Sequence, residues 1–175
     1  MGNSTHRMFL ALWPDDAVRA ALREHMQRWR WGDGARLCAA QDLHVTLHFL
    51  GAVPDERLPE LREGFAVECD NFDWALDTPG LWPHGLAVLG CEDVPQPLLE
   101  LYRRLGQAVQ RLRLPLEMRS FRPHVTLARH ALSARAPQPA PAIGWSVDGY
   151  CLVRSSGNPA DRYEIVQRYP GRPAA

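Results

Sequence analysis

Apolar residues first cluster in the run Met8-Phe9-Leu10-Ala11-Leu12-Trp13, too short to cross a membrane and dense enough to be a buried strand over residues 7–13. Pro14-Asp15-Asp16 follows with the proline and acids that suit a helix N-terminus. Val18, Leu22, Met26 and Trp29 then recur at helical spacing, which predicts a helix to about Arg30, closed by Gly32-Asp33-Gly34. A short strand near 36–39 leads into a longer one over Leu43–Leu50. Leu58, Leu61 and Phe65 predict a second helix across 54–67. Strands are expected at 72–77 and 81–89 around a Pro79-Gly80 turn. A third helix is expected at 95–112, where Leu98, Leu101, Leu105, Val109 and Leu112 repeat every three or four residues. The chain then predicts strands at 121–128, 145–154 and 163–169, with the proline-rich stretch 136–141 as an exposed loop. Strands and helices do not alternate regularly, so the fold class expected is α+β with antiparallel sheet, in a single domain over residues 1–175.

The pattern contains one internal echo. Leu43-His44-Val45-Thr46-Leu47 and Pro123-His124-Val125-Thr126-Leu127 are near copies, 80 residues apart. With seven histidines and four threonines in 175 residues, chance gives roughly 0.2 His-x-Thr matches in the chain, and a doubled His-Val-Thr-Leu is far rarer. Alternate side chains of a strand share a face. Each copy therefore anchors itself with Val and Leu and presents an imidazole and a hydroxyl about 7 Å apart. If a pseudo-two-fold relates the halves, both imidazoles face one cleft.

Two histidines suit in-line displacement at phosphorus. One takes a proton from the attacking water while the other protonates the departing oxygen, and an imidazole titrating near pH ~6.5 serves either way. Thr46 and Thr126 are short, stiff donors for non-bridging phosphate oxygens. A lone strand histidine is ordinarily a satisfied, partly buried side chain, but the duplication argues otherwise. Zinc would need a fuller donor set than two histidines, so no metal and no cofactor is expected.

Composition narrows the chemistry. Twenty acids balance twenty basic residues, so no whole-molecule field holds long nucleic acid backbones. The charge is uneven: residues 55–77 carry eight acids against Arg57 and Arg62, while 101–135 carry eight arginines against Glu117. Every basic residue is arginine, which excludes lysine-based covalent catalysis. Cys38, Cys69, Cys91 and Cys151 form no tight pair and read as reduced thiols of a cytoplasmic protein; no signal peptide or membrane span is expected, and a monomer is the default.

These motifs resemble the two-histidine (2H) phosphoesterases, specifically the bacterial RNA 2′,3′-cyclic phosphodiesterase family, also called 2′-5′ RNA ligases. The likeness runs through Arg7-Met8-Phe9-Leu10-Ala11-Leu12-Trp13-Pro14, the block Leu43 to Gly51, the block Phe121 to Arg129, and Leu152-Val153-Arg154-Ser155. It implies a bilobal fold with two antiparallel sheets, pseudo-two-fold halves facing a central cleft, and helices outside. It also implies hydrolysis of RNA 2′,3′-cyclic phosphate ends to 2′-phosphates without metal, with 2′-5′ ligation as a reverse reaction in vitro. By the same resemblance His44 is the general acid, His124 the general base, Thr46 and Thr126 bind phosphate, and Arg129 assists. Strict alternation puts Arg129 on the face opposite His124, so that role needs the strand to end or bulge first. His48 shares the face of His44 and either touches substrate or stands by. Phe9, Phe49 and Phe121 are candidate base platforms, although alternation assigns Phe49 to the core. Trp13, Trp29, Trp74, Trp82 and Trp145 read as core. Two alternatives stay open: a 2H enzyme acting on a small cyclic nucleotide, and a non-catalytic module that binds RNA ends.

Overall fold

The computed structural model describes residues 4–175. Ten strands and three α-helices follow in the order β1 (Thr5–Leu12), α1 (Asp16–Gln27), β2 (Arg36–Leu37), β3 (Val45–Pro54), α2 (Leu58–Gly64), β4 (Phe72–Leu76), β5 (Thr78–Trp82), β6 (Leu86–Gly90), α3 (Gln96–Arg111), β7 (His124–Arg129), β8 (Ile143–Val147), β9 (Gly149–Ser155) and β10 (Tyr163–Pro170). The fold is α+β, as the pattern predicts.

Each half is a strand, a helix and an antiparallel return strand: β1-α1-β3 in one, β6-α3-β7 in the other. Eight strands form one antiparallel sheet in the order β10-β9-β1-β3-β7-β6-β5, with β2 also on β7; β10 to β3 make one lobe of it and β7 to β5 the other. The two meet at one residue pair, Val45 with Val125, the valines of the two His-Val-Thr-Leu copies. A pseudo-two-fold through that pair relates the halves. Below them, β4 and β8 make a separate ladder that includes Trp74 opposite Trp145.

The helices follow from their sequences. Asp15 caps α1 by accepting the Val18 amide at 2.8 Å. On α3 the predicted stripe Leu98, Leu101, Leu105 and Val109 is fully buried, each side chain contributing on the order of 1.5–3 kcal/mol. Buried residues from both halves, including Leu12, Leu22, Leu50, Leu89 and Leu127, join in one cluster, and Phe9, Ala11, Cys151 and Val153 form a second, smaller one.

Four expectations need correction. Residues 81–89 are not one strand: β5 and β6 are a hairpin whose tip, Pro83–Gly85, holds His84 and Gly85 at φ 65° and 73°. Pro79-Gly80 lies inside β5, an edge strand, where a missing amide costs no ladder bond. Residues 145–154 divide into β8 and β9, which belong to different sheets. The second helix is shorter than 54–67, because β3 runs on to Pro54 and a 3₁₀ turn takes Asp55–Arg57.

Candidate active site

The pairing of Val45 with Val125 is antiparallel, so its register sets His44 across from Thr126 and Thr46 across from His124. All four side chains line one cleft of about 640 Å³. Val45 and Val125, both fully buried, point the other way.

Each imidazole is tied in the same manner. His44 Nδ1 donates to the carbonyl of Asp42 at 2.6 Å, and His124 Nδ1 donates to the carbonyl of Arg122 at 2.7 Å, two residues back in both cases. This fixes the tautomer and leaves both Nε2 atoms for the cleft. His44 Nε2 accepts from the Thr46 hydroxyl at 3.0 Å.

The two surroundings differ. His44 stacks between Trp13, 5.3 Å away at an interplanar angle of 10°, and Phe9, 5.0 Å away, with the edge of Tyr163 at 5.3 Å. Burial lowers its pKa to about 4, against the Asp42 carbonyl, which favours the charged form; the charges of His124, Arg19 and Arg129 lower it further. His124 lies 4.3 Å from Trp82, over which the Arg122 guanidinium sits at 4.3 Å. Its pKa is also lowered, chiefly by burial.

Alternation predicts neither Arg129 nor His48 and Phe49, and one cause accounts for all three. Against β1, His48 pairs with Leu10 and Thr46 with Ala11, so Leu47 is an extra residue, a bulge. Against β6, Ala128 pairs with Ala87 and Thr126 with Val88, so Leu127 is extra in the same way. The fourth residue of each copy therefore resets the alternation. Leu127 and Ala128 are both buried, and Arg129 returns to the cleft beside His124, meeting the condition that its role requires. In the first copy Leu47 and His48 are both buried, and Phe49, 55% exposed, lines the cleft. The core assignment of Phe49 is thus overturned, and so is the shared face of His48 and His44. His48 instead donates Nε2–H to the Tyr102 carbonyl at 2.9 Å and stacks on that ring, with Phe121 on the ring's far side at 3.9 Å.

Sequence reasoning also left Trp82, Arg162 and Tyr163 outside the site, yet all three line the cleft. Trp13 and Trp82 cover the imidazoles rather than fill the core. The charged side chains around the cleft are Arg119, Arg122, Arg129 and Arg162 against Asp42 and Glu117, a cationic balance. Among the described residues no three His, Cys, Asp or Glu side chains converge as a metal site, and no helix is long and apolar enough to cross a membrane.

The chain resembles known proteins over nearly its full length. The family described as the 2′-5′ RNA ligase superfamily matches residues 14–159. An RNA 2′,3′-cyclic phosphodiesterase of Thermus thermophilus is 31% identical over 176 residues, covering 93% of this chain and 89% of that protein. The Escherichia coli protein of the same name is 31% identical, covering 93% and 95%. Among solved structures, E. coli LigT complexed with 3′-AMP superposes with a TM-score of 0.87 at 27% identity, covering 96% of this chain and 99% of that one.

Proposed function

The chain belongs to the 2′-5′ RNA ligase superfamily, and on that premise we propose that it is an RNA 2′,3′-cyclic phosphodiesterase that opens cyclic phosphate ends to 2′-phosphates with two histidines and no metal. The observation that carries this reading is the pair of imidazoles, one from each half, anchored identically through Nδ1 and sharing a cleft through Nε2. Such a pair supplies both proton transfers of an in-line displacement.

In this reading His124 Nε2 removes a proton from water as its oxygen bonds to phosphorus. The bond from phosphorus to the ribose 3′ oxygen breaks, and His44 Nε2–H protonates that oxygen, leaving the phosphate on the 2′ oxygen. The division of roles follows the family resemblance. Thr46, Thr126 and Arg129 hold the non-bridging oxygens as charge builds there. The anionic cyclic phosphate also helps to charge its own catalyst, because a negative charge entering the cleft raises the pKa that burial lowers at His44. The four cysteines stand as free thiols, which suits a protein working in the reducing cytoplasm.

The test is turnover of a short RNA ending in a 2′,3′-cyclic phosphate, in excess EDTA, followed by phosphorus NMR. A 2′-phosphate product from the native protein is expected, with kcat lower by about 10²–10⁴-fold in His44→Ala and in His124→Ala. Tight binding without turnover would overturn the reading in favour of a module that only binds RNA ends.

A further inference from the structure

The reacting phosphate, in the reading above, is served by the imidazole pair, the two threonines and Arg129. Three arginines of the cleft remain unassigned, and their settings differ. Arg122 is stacked on Trp82, and its carbonyl is committed to His124. Arg119 is 88% exposed and stands 3.9 Å from Glu117. Arg162, just before β10, is half-exposed on the cleft wall, its guanidinium 3.9 Å from the carboxylate of Asp42, itself only 12% exposed. That distance is an ion pair without a hydrogen bond, and among the described residues no acceptor takes one from the Arg162 side chain. Its N–H fork is held in place by charge and left open.

The position of this fork relative to the reacting centre follows from its partner. Arg129 and Arg162 both line the cleft, and Asp42, the partner of Arg162, holds His44 through its carbonyl at Nδ1, the ring edge away from the reacting Nε2. Arg162 therefore stands on the Nδ1 side of His44, outward from the reacting phosphate. The adjacent residue, Tyr163, has its ring edge on His44, which places Arg162 on the His44 side of the cleft. A free arginine fork in a cleft of about 640 Å³, one step out from a phosphate site, matches a second phosphate bidentately.

We propose that Arg162 binds the phosphodiester on the 5′ side of the terminal nucleotide, so that it selects RNA chain ends over mononucleotide cyclic phosphates. This rests on the cyclic phosphodiesterase reading. Asp42 is the counter-ion that keeps the fork aimed into the cleft until the phosphate replaces it. Only a substrate with at least one internucleotide linkage offers that phosphate; a nucleoside 2′,3′-cyclic phosphate with a free 5′ hydroxyl does not.

The experiment compares kcat/KM for the dinucleotide adenylyl-adenosine 2′,3′-cyclic phosphate and for adenosine 2′,3′-cyclic phosphate, in the native protein, Arg162→Ala and Arg162→Lys. The native protein is expected to favour the dinucleotide by about tenfold or more, the contribution of one charge-assisted contact. Arg162→Ala should abolish that preference while leaving the mononucleotide within twofold, and Arg162→Lys should restore part of it. The dependence of the dinucleotide's log kcat/KM on log salt should lose a slope of about 0.7 in Arg162→Ala, that of one phosphate contact on a single strand. Three outcomes overturn the proposal: equal loss on both substrates, no loss on either, or no dinucleotide preference in the native protein, the last fitting an enzyme of small cyclic nucleotides. If the native protein turns over neither substrate, the cyclic phosphodiesterase reading itself fails, a result distinct from the other three.

Discussion

The packing around His44 constrains its protonation state, and the constraint can be measured without substrate. Packed among Trp13, Phe9 and Tyr163, its imidazole titrates at about 4 rather than 6.5. Between those values the unfolded chain binds a proton that the folded chain refuses. Stability therefore falls as pH drops through 6.5, and the loss levels off once pH is below the folded value. For a folded value of about 4 the loss between about pH 7 and about pH 4.5 comes to about 2 kcal/mol from this residue.

Denaturant unfolding at those two pH values, in the native protein and in His44→Gln, isolates the contribution. His25, His48 and His124 are depressed as well and lower the stability of both proteins in acid, so only the difference between them reports on His44. The native protein should lose about 2 kcal/mol more than the variant. By reciprocity an anion beside the imidazole raises its pKa, so adenosine 2′-phosphate should bind more tightly as pH falls and take up protons on binding. Equal losses in the two proteins, or a His44 Cε1 proton resonance that titrates near 6.5 in the free protein, would refute the argument that aromatic burial keeps this imidazole neutral.

Two further predictions concern the frame of the cleft. The buried hydroxyl of Tyr150 donates to the Phe65 carbonyl at 2.7 Å and accepts from the Val67 amide at 2.9 Å, so Tyr150→Phe removes both bonds and leaves that amide and carbonyl only their 3.0 Å bond to each other. It should cost about 1–3 kcal/mol in denaturant unfolding with turnover per folded molecule unchanged, since the ring does not line the cleft. Gly85 sits at φ 73°, and a Cβ there would lie 2.8 Å from the Ala131 amide nitrogen. Gly85→Ala should cost about 1–2 kcal/mol or more and also lower kcat, because the strained hairpin tip adjoins Trp82, which covers His124; calorimetry and an activity assay check both.

Much of this molecule is legible in its sequence, and what is not has a specific cause. The amphipathic stripe of α3 and the proline and acids that open α1 follow from spacing within one short segment, and the doubled tetrapeptide from setting two segments 80 residues apart side by side. The strand division at residues 83–85 depends on a turn that folds β6 back onto β5, and the one at Asp148 on which sheet each piece joins; segments 145–147 and 149–154 are equally strand-like whether or not they share one. Burial of His48 and exposure of Phe49 depend on more still, because a bulge is a mismatch between the residue counts of two paired strands and exists in neither strand alone. A bulge at Leu47 and another at Leu127 set Phe49 and Arg129 at equivalent places, each five residues after its histidine. Superposing the two tetrapeptides and reading onward would have paired those residues, though without saying which way they point. The pairing also breaks the symmetry of the halves: one copy brings an arginine into the cleft and the other a phenylalanine. Two like motifs thus contribute unlike groups to one cleft, a guanidinium that suits an anion and an aromatic ring that suits a base.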